Sequence, residues 1–263
     1  MAAVITRVKQ KQISQLVAKG NRLDDRELTD YREMKIEQGI IERAEGSARV
    51  ILGKTEVVVG VKIETGEPFP DTPNEGVLTV NAELVPLASP GFEPGPPDEN
   101  SIELARIVDR GIRESKVIDT AKLVIEPAKK VFVVFIDVYV LNHDGNLIDA
   151  SALAAMAALL NTKMANYEIE DGEIKIKPGY EPLPTKKHPI TITCAKIGEK
   201  LVVDPSLEEE QVMDARISFA IDDEENICAI QKGGSGYFEP KEIFEASKIA
   251  KQKADEIRKK LNW

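Results

Sequence analysis

The hydrophobic residues of the chain follow two spacings, one of about 3.6 residues and one of about 2. The first spacing predicts helices over residues 10–19, 101–115, 149–164 and 240–261. The second, in segments rich in β-branched residues, predicts strands over residues 48–63, 76–87, 130–141, 190–196, 200–203, 216–221 and 227–231. Strands followed by a helix occur twice. This order predicts an α+β fold in which residues 1–263 form one domain with duplicated halves, about 20–165 and 166–263.

Glycine and aspartate mark the ends of several of these elements. The pattern predicts turns or helix caps at Gly20, Gly53-Lys54, Asp144-Gly145 and Asp171-Gly172. Residues 130–141 are almost continuously apolar, which predicts a strand covered on both of its faces. The helix after Asp144-Gly145 is rich in alanine, and small side chains of this kind permit close packing on a sheet.

Composition places the chain among globular proteins, with 263 residues, 42% hydrophobic and 30% charged. We find no apolar run near the roughly 20 residues that a membrane-spanning helix needs. The N-terminal residues 1–10 also lack the apolar core of a signal peptide. We therefore expect an intracellular, cytoplasmic protein with no membrane association.

Residue types exclude several kinds of chemistry. Cys194 and Cys228 both lie beside apolar, strand-like residues, so we expect buried, reduced thiols. Only two histidines are present, His143 and His188, and they are far apart in the sequence. This disfavours both a histidine zinc site and a Ser-His-Asp triad. The sequence predicts no cofactor and no metal.

The sharpest local charge pattern is a row of three arginines. Arg106, Arg110 and Arg113 recur at i, i+4 and i+7, so a helix places them along one stripe. The whole chain carries a net charge of -10, which argues against nonspecific coating of nucleic acid. A local basic stripe indicates a site for an anion such as an RNA phosphate, although the same spacing also suits a solvated face. The stiff, polar segment 89–100 leads into this helix and favours the first interpretation, a channel wall.

Several segments carry a more specific resemblance. The arginines at 22, 26 and 32 follow an Arg-x-Asp-x-Arg-x5-Arg pattern. Further along stand Gly46-Ser47-Ala48, Gly53-Lys54-Thr55, the arginine helix, Asp144-Gly145, Ala150-Ser151 and Ala158-Leu159. Their order and spacing resemble the ribonuclease PH family over about residues 20–240, with Asp25 in place of the usual glycine. Within that family, residues 103–110 and 203–218 are most similar to the catalytically silent ring subunit of the archaeal exosome.

The resemblance implies a ribonuclease PH-like fold with mixed sheets and packed helices, and a place in a phosphorolytic 3'-to-5' exoribonuclease complex. In such rings, silent and catalytic subunits alternate as a trimer of heterodimers. The silent subunit's arginines grip RNA at the neighbouring active site. The resemblance assigns this role to Arg106 and Arg110, with Arg113 as a third candidate. Implied partners are the catalytic ribonuclease PH-like subunit, RNA-binding cap proteins and single-stranded RNA.

The residues that active members use to hold phosphate are absent here. Those members place a hydroxyl residue and an arginine directly after the Asp-Gly turn, whereas this chain has Asn146, Leu147 and Ile148. An aliphatic pair cannot neutralise a phosphate dianion, and the adjacent Asp149 would repel it. The pocket is therefore predicted to be degenerate.

The family's second catalytic element is a pair of acids six residues apart. Its predicted counterpart is Glu208 and Asp214, a vestigial pair, although acids at a helix start also serve as dipole partners. We predict that the chain is not an enzyme by itself. The alternatives are a self-sufficient phosphorolytic nuclease, assembled as a homohexamer and using this acid pair, and a pure scaffold without RNA contact. Leu147 and Ile148 argue against the first, and Arg106 and Arg110 against the second.

Overall fold

A computed structural model describes residues 2–170, 173–261 and 263. The helices are α1 (Ala2–Ala18), α2 (Glu99–Glu114), α3 (Leu147–Asn161), α4 (Leu207–Glu210) and α5 (Pro240–Leu261), with a short 3-10 helix at Thr120–Leu123. The strands are β1 (Met34–Gln38), β2 (Gly46–Leu52), β3 (Thr55–Gly66), β4 (Val77–Leu84), β5 (Val124–Glu126), β6 (Lys130–Asn142), β7 (Lys163–Glu170), β8 (Glu173–Pro182), β9 (Ile190–Ile197), β10 (Lys200–Val203), β11 (Ala215–Ile221) and β12 (Ile227–Gly233).

The strands form two larger sheets and a hairpin. The first sheet has the order β1-β2-β3-β6-β4, with β5 also paired to β6. It is mixed, because β4 runs parallel to β6 while the other pairs are antiparallel. The second sheet, β10-β9-β11-β12, is antiparallel throughout. Strands β7 and β8 form the hairpin, and its predicted turn at Asp171-Gly172 lies outside the described residues. The predicted α+β fold with mixed sheets is confirmed.

Helix α3 lies between the two larger sheets and packs against β2 and β3 on one side and β9 on the other. Its alanines make this possible, since they let backbones on both sides approach closely. The main hydrophobic core runs through it, from Val57 on β3 to Ile192 on β9 and Ala250 on α5. This continuity supports our proposal that residues 1–263 form one domain.

Most of the predicted elements are present. The turn at Gly53-Lys54 separates β2 from β3, and Gly20 ends α1 with a left-handed φ of 84°. At the Asp144-Gly145 turn, Gly145 has a φ of 89°, and an added Cβ would lie 2.4 Å from the backbone nitrogen of Leu207. Glycine is therefore required at 145 by its conformation and by its neighbours. This close approach brings the start of α3 next to α4.

Three predictions need correction. Strand β6 is covered on one face only, since its outer residues are partly exposed and Tyr139 is 41% exposed. Helix α3 ends at Asn161 instead of residue 164, because Thr162 turns extended and its hydroxyl donates to the Ala158 carbonyl at 2.8 Å. Both cysteines are free, as predicted, but only Cys194 is buried and Cys228 is partly exposed. In the described part of the chain, no helix is long and apolar enough to cross a membrane.

Candidate functional site

The first turn of α3 is where the family resemblance locates a phosphate pocket. Asn146 is the N-cap of this helix and adopts the left-handed conformation, with φ 52° and ψ 48°. Its side-chain amide is buried and donates to the carboxylates of Asp149 and Asp204, each at 2.8 Å. Leu147 and Ile148 follow it and line the adjacent cavity with apolar atoms. Neither residue offers a side-chain hydrogen bond to an anion.

Asp149 faces the protein interior instead of the cavity. Its carboxylate accepts hydrogen bonds from the Tyr31 hydroxyl at 2.6 Å and the Thr193 hydroxyl at 2.7 Å. Burial raises the pKa of Asp149 to about 6, against the opposing effect of these hydrogen bonds. Asp149 therefore does not line the cavity in which phosphate would lie. Its function is to join α3 to the second sheet.

A carboxyl group that does face the cavity is that of Glu210, at the end of α4. Its Oε1 accepts the backbone N–H of Asn146 at 2.9 Å. Burial raises the pKa of Glu210 to about 7, although the Asn146 N–H, Arg216 and Arg32 act in the opposite direction. An acid with this pKa is only partly ionised at neutral pH.

The cavity itself has a volume of about 230 Å³ and lies between α2, the start of α3 and the start of β11. Its polar side chains include Glu103, His143, Glu210 and Arg216. Arg216 donates to Glu103 at 2.7 Å, so its charge is compensated inside the protein. His143 stacks on Phe92 with ring centroids 5.4 Å apart, and burial lowers its pKa. The cavity thus combines apolar walls with charges that are already paired.

The predicted acid pair does not line this cavity. Glu208 lies on the surface, where it pairs with Lys9 at 3.3 Å. Asp214 is exposed and accepts the backbone N–H of Gly198 at 2.8 Å. The residues six positions apart that do reach the cavity are Glu210 and Arg216. A carboxylate and a guanidinium cation cannot bind one metal ion together as two carboxylates would. Among the described residues there is also no cluster of three metal-ligating side chains.

The arginines at 22, 26 and 32 belong to the framework behind the pocket. Arg22 is buried and donates to Glu209 through two nitrogens, at 2.9 and 2.5 Å. Arg26 and Arg32 both donate to the carboxylate of Asp204, at 2.9 and 2.8 Å. Burial would raise the pKa of Asp204, but the hydrogen bond and charge of Arg32 outweigh it and lower that pKa. These three arginines therefore carry no free charge for an external anion.

One residue of this segment, Asp25, stands where the family pattern has glycine. Asp25 occupies the left-handed region with φ 61°. Glycine adopts this region without strain, and aspartate is among the few other residues that tolerate it. The replacement of glycine by aspartate therefore leaves the turn intact.

The arginine stripe lies on α2, as predicted. Asp98 caps the helix by accepting the Ser101 N–H at 2.8 Å. Arg106 and Arg110 are exposed. Arg106 makes no side-chain hydrogen bond or ion pair within the described chain, and the only partner of Arg110 there is the neutral Gln231, at 3.2 Å. Both guanidinium groups therefore keep a charge that is not neutralised by a carboxylate.

Arg113 differs from the other two. It makes a two-pronged ion pair with Asp109, at 2.7 and 3.1 Å, and donates to the Leu78 carbonyl of β4 at 3.0 Å. Its side chain is 49% exposed, but its charge is compensated by the aspartate one turn away. The structure thus separates Arg113 from the pair formed by Arg106 and Arg110.

Two surface depressions flank that pair. One lies between α2 and the edge strand β4 and has a volume of about 550 Å³, and the other lies between α2 and Gln231 of β12 and has a volume of about 290 Å³. Arg106 and Arg110 line both. The second depression also shares Glu103 and Ile107 with the cavity at the start of α3. Arg106 and Arg110 are therefore accessible from both depressions.

The fold is that of a ribonuclease PH-like protein. The model of the 3' exoribonuclease family, domain 1, matches residues 30–165, and the model of domain 2 matches residues 187–253. The chain belongs to this 3' exoribonuclease (ribonuclease PH) family, which confirms the resemblance found in its sequence.

Relatives with established names are similar over nearly the whole chain. The exosome complex component Rrp42 of Thermococcus kodakarensis is 55% identical over 98% of this chain and 96% of that protein. The Rrp42 proteins of Pyrococcus horikoshii and Methanothermobacter thermautotrophicus are 56% and 48% identical, over 97% of this chain and 94% of each of those proteins.

Solved structures agree with these relationships. A chain of the Archaeoglobus fulgidus exosome with RNA bound to the active site superposes with a TM-score of 0.90 at 47% identity, covering 98% of this chain and 99% of that one. A chain of an archaeal exosome core gives 0.87 at 43% identity, covering 99% and 98%. Rice Rrp46 gives 0.69 at 17% identity over 90% of this chain and 97% of that one, which supports the fold alone.

Proposed function

We propose that this protein is a non-catalytic ring subunit of an archaeal exosome, a phosphorolytic 3'-to-5' exoribonuclease complex. It binds RNA in the channel through Arg106 and Arg110 and completes the active site of a neighbouring catalytic subunit. It acts in the cytoplasm. The observation that carries this proposal is the contrast between a pocket whose charges are internally paired and a helix that leaves two arginines without an acidic partner.

The absence of catalysis follows from the chemistry of the cavity. Phosphorolysis needs inorganic phosphate held beside the terminal RNA linkage, with cationic and hydrogen-bonding groups around it. Here Leu147 and Ile148 supply apolar atoms, and Arg216 is held by Glu103. Loss of such preorganised charge costs several kcal/mol of transition-state stabilisation. The remaining carboxyl group of Glu210 cannot replace it.

RNA binding follows from the free charges of α2. A guanidinium group is permanently charged and matches the geometry of phosphate, so Arg106 and Arg110 suit successive phosphates of a single strand. Arg113 was the third candidate, and its ion pair with Asp109 makes it a weaker one. A net charge of -10 favours a local, shared channel over a general RNA-binding surface.

The partners are a catalytic ribonuclease PH-like subunit, RNA-binding cap proteins and single-stranded RNA. The relatives named as exosome components, and the similarity to a chain of an exosome core structure, support assembly of this chain in such a ring. We expect three heterodimers with the catalytic subunit.

The test compares the purified chain, the catalytic subunit and their mixture. Each is incubated with single-stranded RNA, magnesium and phosphate, and release of nucleoside diphosphates is followed. We expect activity in the mixture, no activity in this chain alone, and a mass of three heterodimers by light scattering. Phosphorolysis by this chain alone, or a homohexamer that ignores the catalytic subunit, would refute the proposal.

A further inference from the structure

We propose that Glu210 is an internal ligand that excludes inorganic phosphate from the start of α3. On this view, the missing hydroxyl and arginine at 147 and 148 are only half of the reason for a silent pocket. A carboxyl group of the chain itself holds the backbone amide that an anion would use. The inference rests on the proposed non-catalytic function and deepens it, because it identifies a specificity-determining residue.

The first argument is geometric. Backbone N–H groups at the start of a helix are common ligands of phosphate. At this helix the Asn146 N–H points to Glu210 Oε1 at 2.9 Å, and its left-handed backbone fixes that direction. The side-chain amide of Asn146 is also occupied, by Asp149 and Asp204. Three carboxyl groups of the chain therefore use the donors of this one residue.

The second argument concerns the nearby arginines, whose charges are paired with carboxylates. Arg216 donates to Glu103 at 2.7 Å, and Arg32 donates to Asp204 at 2.8 Å. A phosphate ion entering the cavity would find both guanidinium groups engaged. It would also lie next to Glu210, whose ionised form it would repel. The cations closest to this site are therefore already engaged by carboxylates of the chain itself.

The position of Glu210 is held by its neighbours in sequence. Ser206 and Glu209 form a reciprocal capping box at the start of α4, and Glu209 is fixed by Arg22. Because α4 has only four residues, fixing Glu209 also fixes the direction of Glu210. A protonated carboxyl group can still accept a hydrogen bond, so this occupancy holds whether or not Glu210 is ionised.

The test measures phosphate binding by calorimetry at pH 8 in three variants of the full chain. Leu147→Thr with Ile148→Arg restores the missing side chains, and it should bind no phosphate while Glu210 remains. Adding Glu210→Ala to that pair should produce measurable binding, at least ten times tighter than the weakest binding that the calorimeter detects. Adding Glu208→Ala instead is the matched control, because Glu208 lies outside the cavity, and it should produce none.

Two outcomes would overturn the inference: phosphate binding by the Thr-Arg pair with Glu210 in place, or no binding after Glu210→Ala is added to the folded pair. If the Leu147→Thr and Ile148→Arg substitutions together unfold the protein, the single variant Glu210→Ala provides the test. Phosphate should then shift the amide resonance of Asn146 in Glu210→Ala but not in the unmodified chain, and an unmoved resonance would refute us. Neither readout depends on RNA degradation, so the proposed function can fail separately.

Discussion

Arg22 and Glu209 form a buried, two-pronged ion pair that joins positions 187 residues apart. Both side chains are almost fully buried, at 0% and 2% exposure. Arg22 also donates to the carbonyl groups of Val203 and Asp204, each at 2.9 Å. The segment that carries the family signature therefore fixes the strand and helix that position Glu210.

Breaking this pair should be costly. Arg22→Met leaves the Glu209 carboxylate buried without its partner, and we expect a loss of about 3 to 5 kcal/mol in the free energy of unfolding. Adding Glu209→Gln removes the unpaired charge and should recover part of that loss. Urea denaturation of the single and double variants measures both. A double variant no more stable than Arg22→Met would contradict this account.

The two free arginines should dominate RNA binding in the assembled ring. Arg106→Gln with Arg110→Gln should weaken binding by roughly 1.5 to 3 kcal/mol for each charge-assisted hydrogen bond to phosphate that the substitution removes. The salt dependence should become shallower by about 0.7 in the log-log slope for each phosphate that is no longer neutralised. Fluorescence titration with single-stranded RNA at several salt concentrations measures both quantities.

Arg113→Gln provides the matched control on the same helix. Because Arg113 is already paired with Asp109, its replacement should change RNA affinity much less. Equal effects of the three positions would show that the ion pair opens on binding. Unchanged affinity and salt slope in the double variant would mean that Arg106 and Arg110 only face solvent.

The turn between β6 and α3 should not tolerate a side chain. Gly145→Ala adds a Cβ 2.4 Å from backbone atoms at 206 and 207, at a φ of 89°. We expect a loss of about 2 to 4 kcal/mol in unfolding free energy. Gly20→Ala is the control, since Gly20 has a similar φ of 84° with nothing within 4 Å. It should cost only the conformational strain, about 1 to 2 kcal/mol. Thermal unfolding compares them, and equal losses would exclude a role for the close approach to α4.

Glu210 should also leave a signature in stability against pH. Its pKa in the folded chain is raised to about 7 from an ordinary value of 4.5, so the folded state binds its proton more tightly than the unfolded state. Stability from this group is therefore present at low pH and is lost as pH rises to about 7. Glu210→Gln removes the titration, so its melting temperature relative to the unmodified chain should increase between pH 5 and 8. A difference in melting temperature that stays flat over this range would refute the raised pKa.

Much of the fold could be predicted from periodicity, because long amphipathic helices and β-branched strands carry strong local signals. The missed elements are short: β1 has only five residues, and β5 has three. Their formation depends on pairing with β2 and β6, which no local pattern reveals. The exposure of the outer face of β6 could not be predicted for a similar reason, since a run of apolar residues does not indicate what covers the strand.

The candidate site was only partly predictable. Three consecutive acids at 208–210 gave no local signal to show which one faces the cavity. That choice depends on the capping box and on Arg22, an interaction across 187 positions. The distinct state of Arg113 could have been suspected, because Asp109 lies four residues earlier on the same helix.

The burial of α3 on both sides has a consequence for how the chain folds. Of its 15 residues, those buried include every alanine from 154 to 158, and they touch strands from both larger sheets. An isolated helix of 15 residues is only marginally stable in water, even when it is rich in alanine, because its first turn is costly to form. The docking of α3 therefore completes the packing of both sheets at once. We therefore expect neither half to be stable without the other, because each completes its core only when α3 has docked.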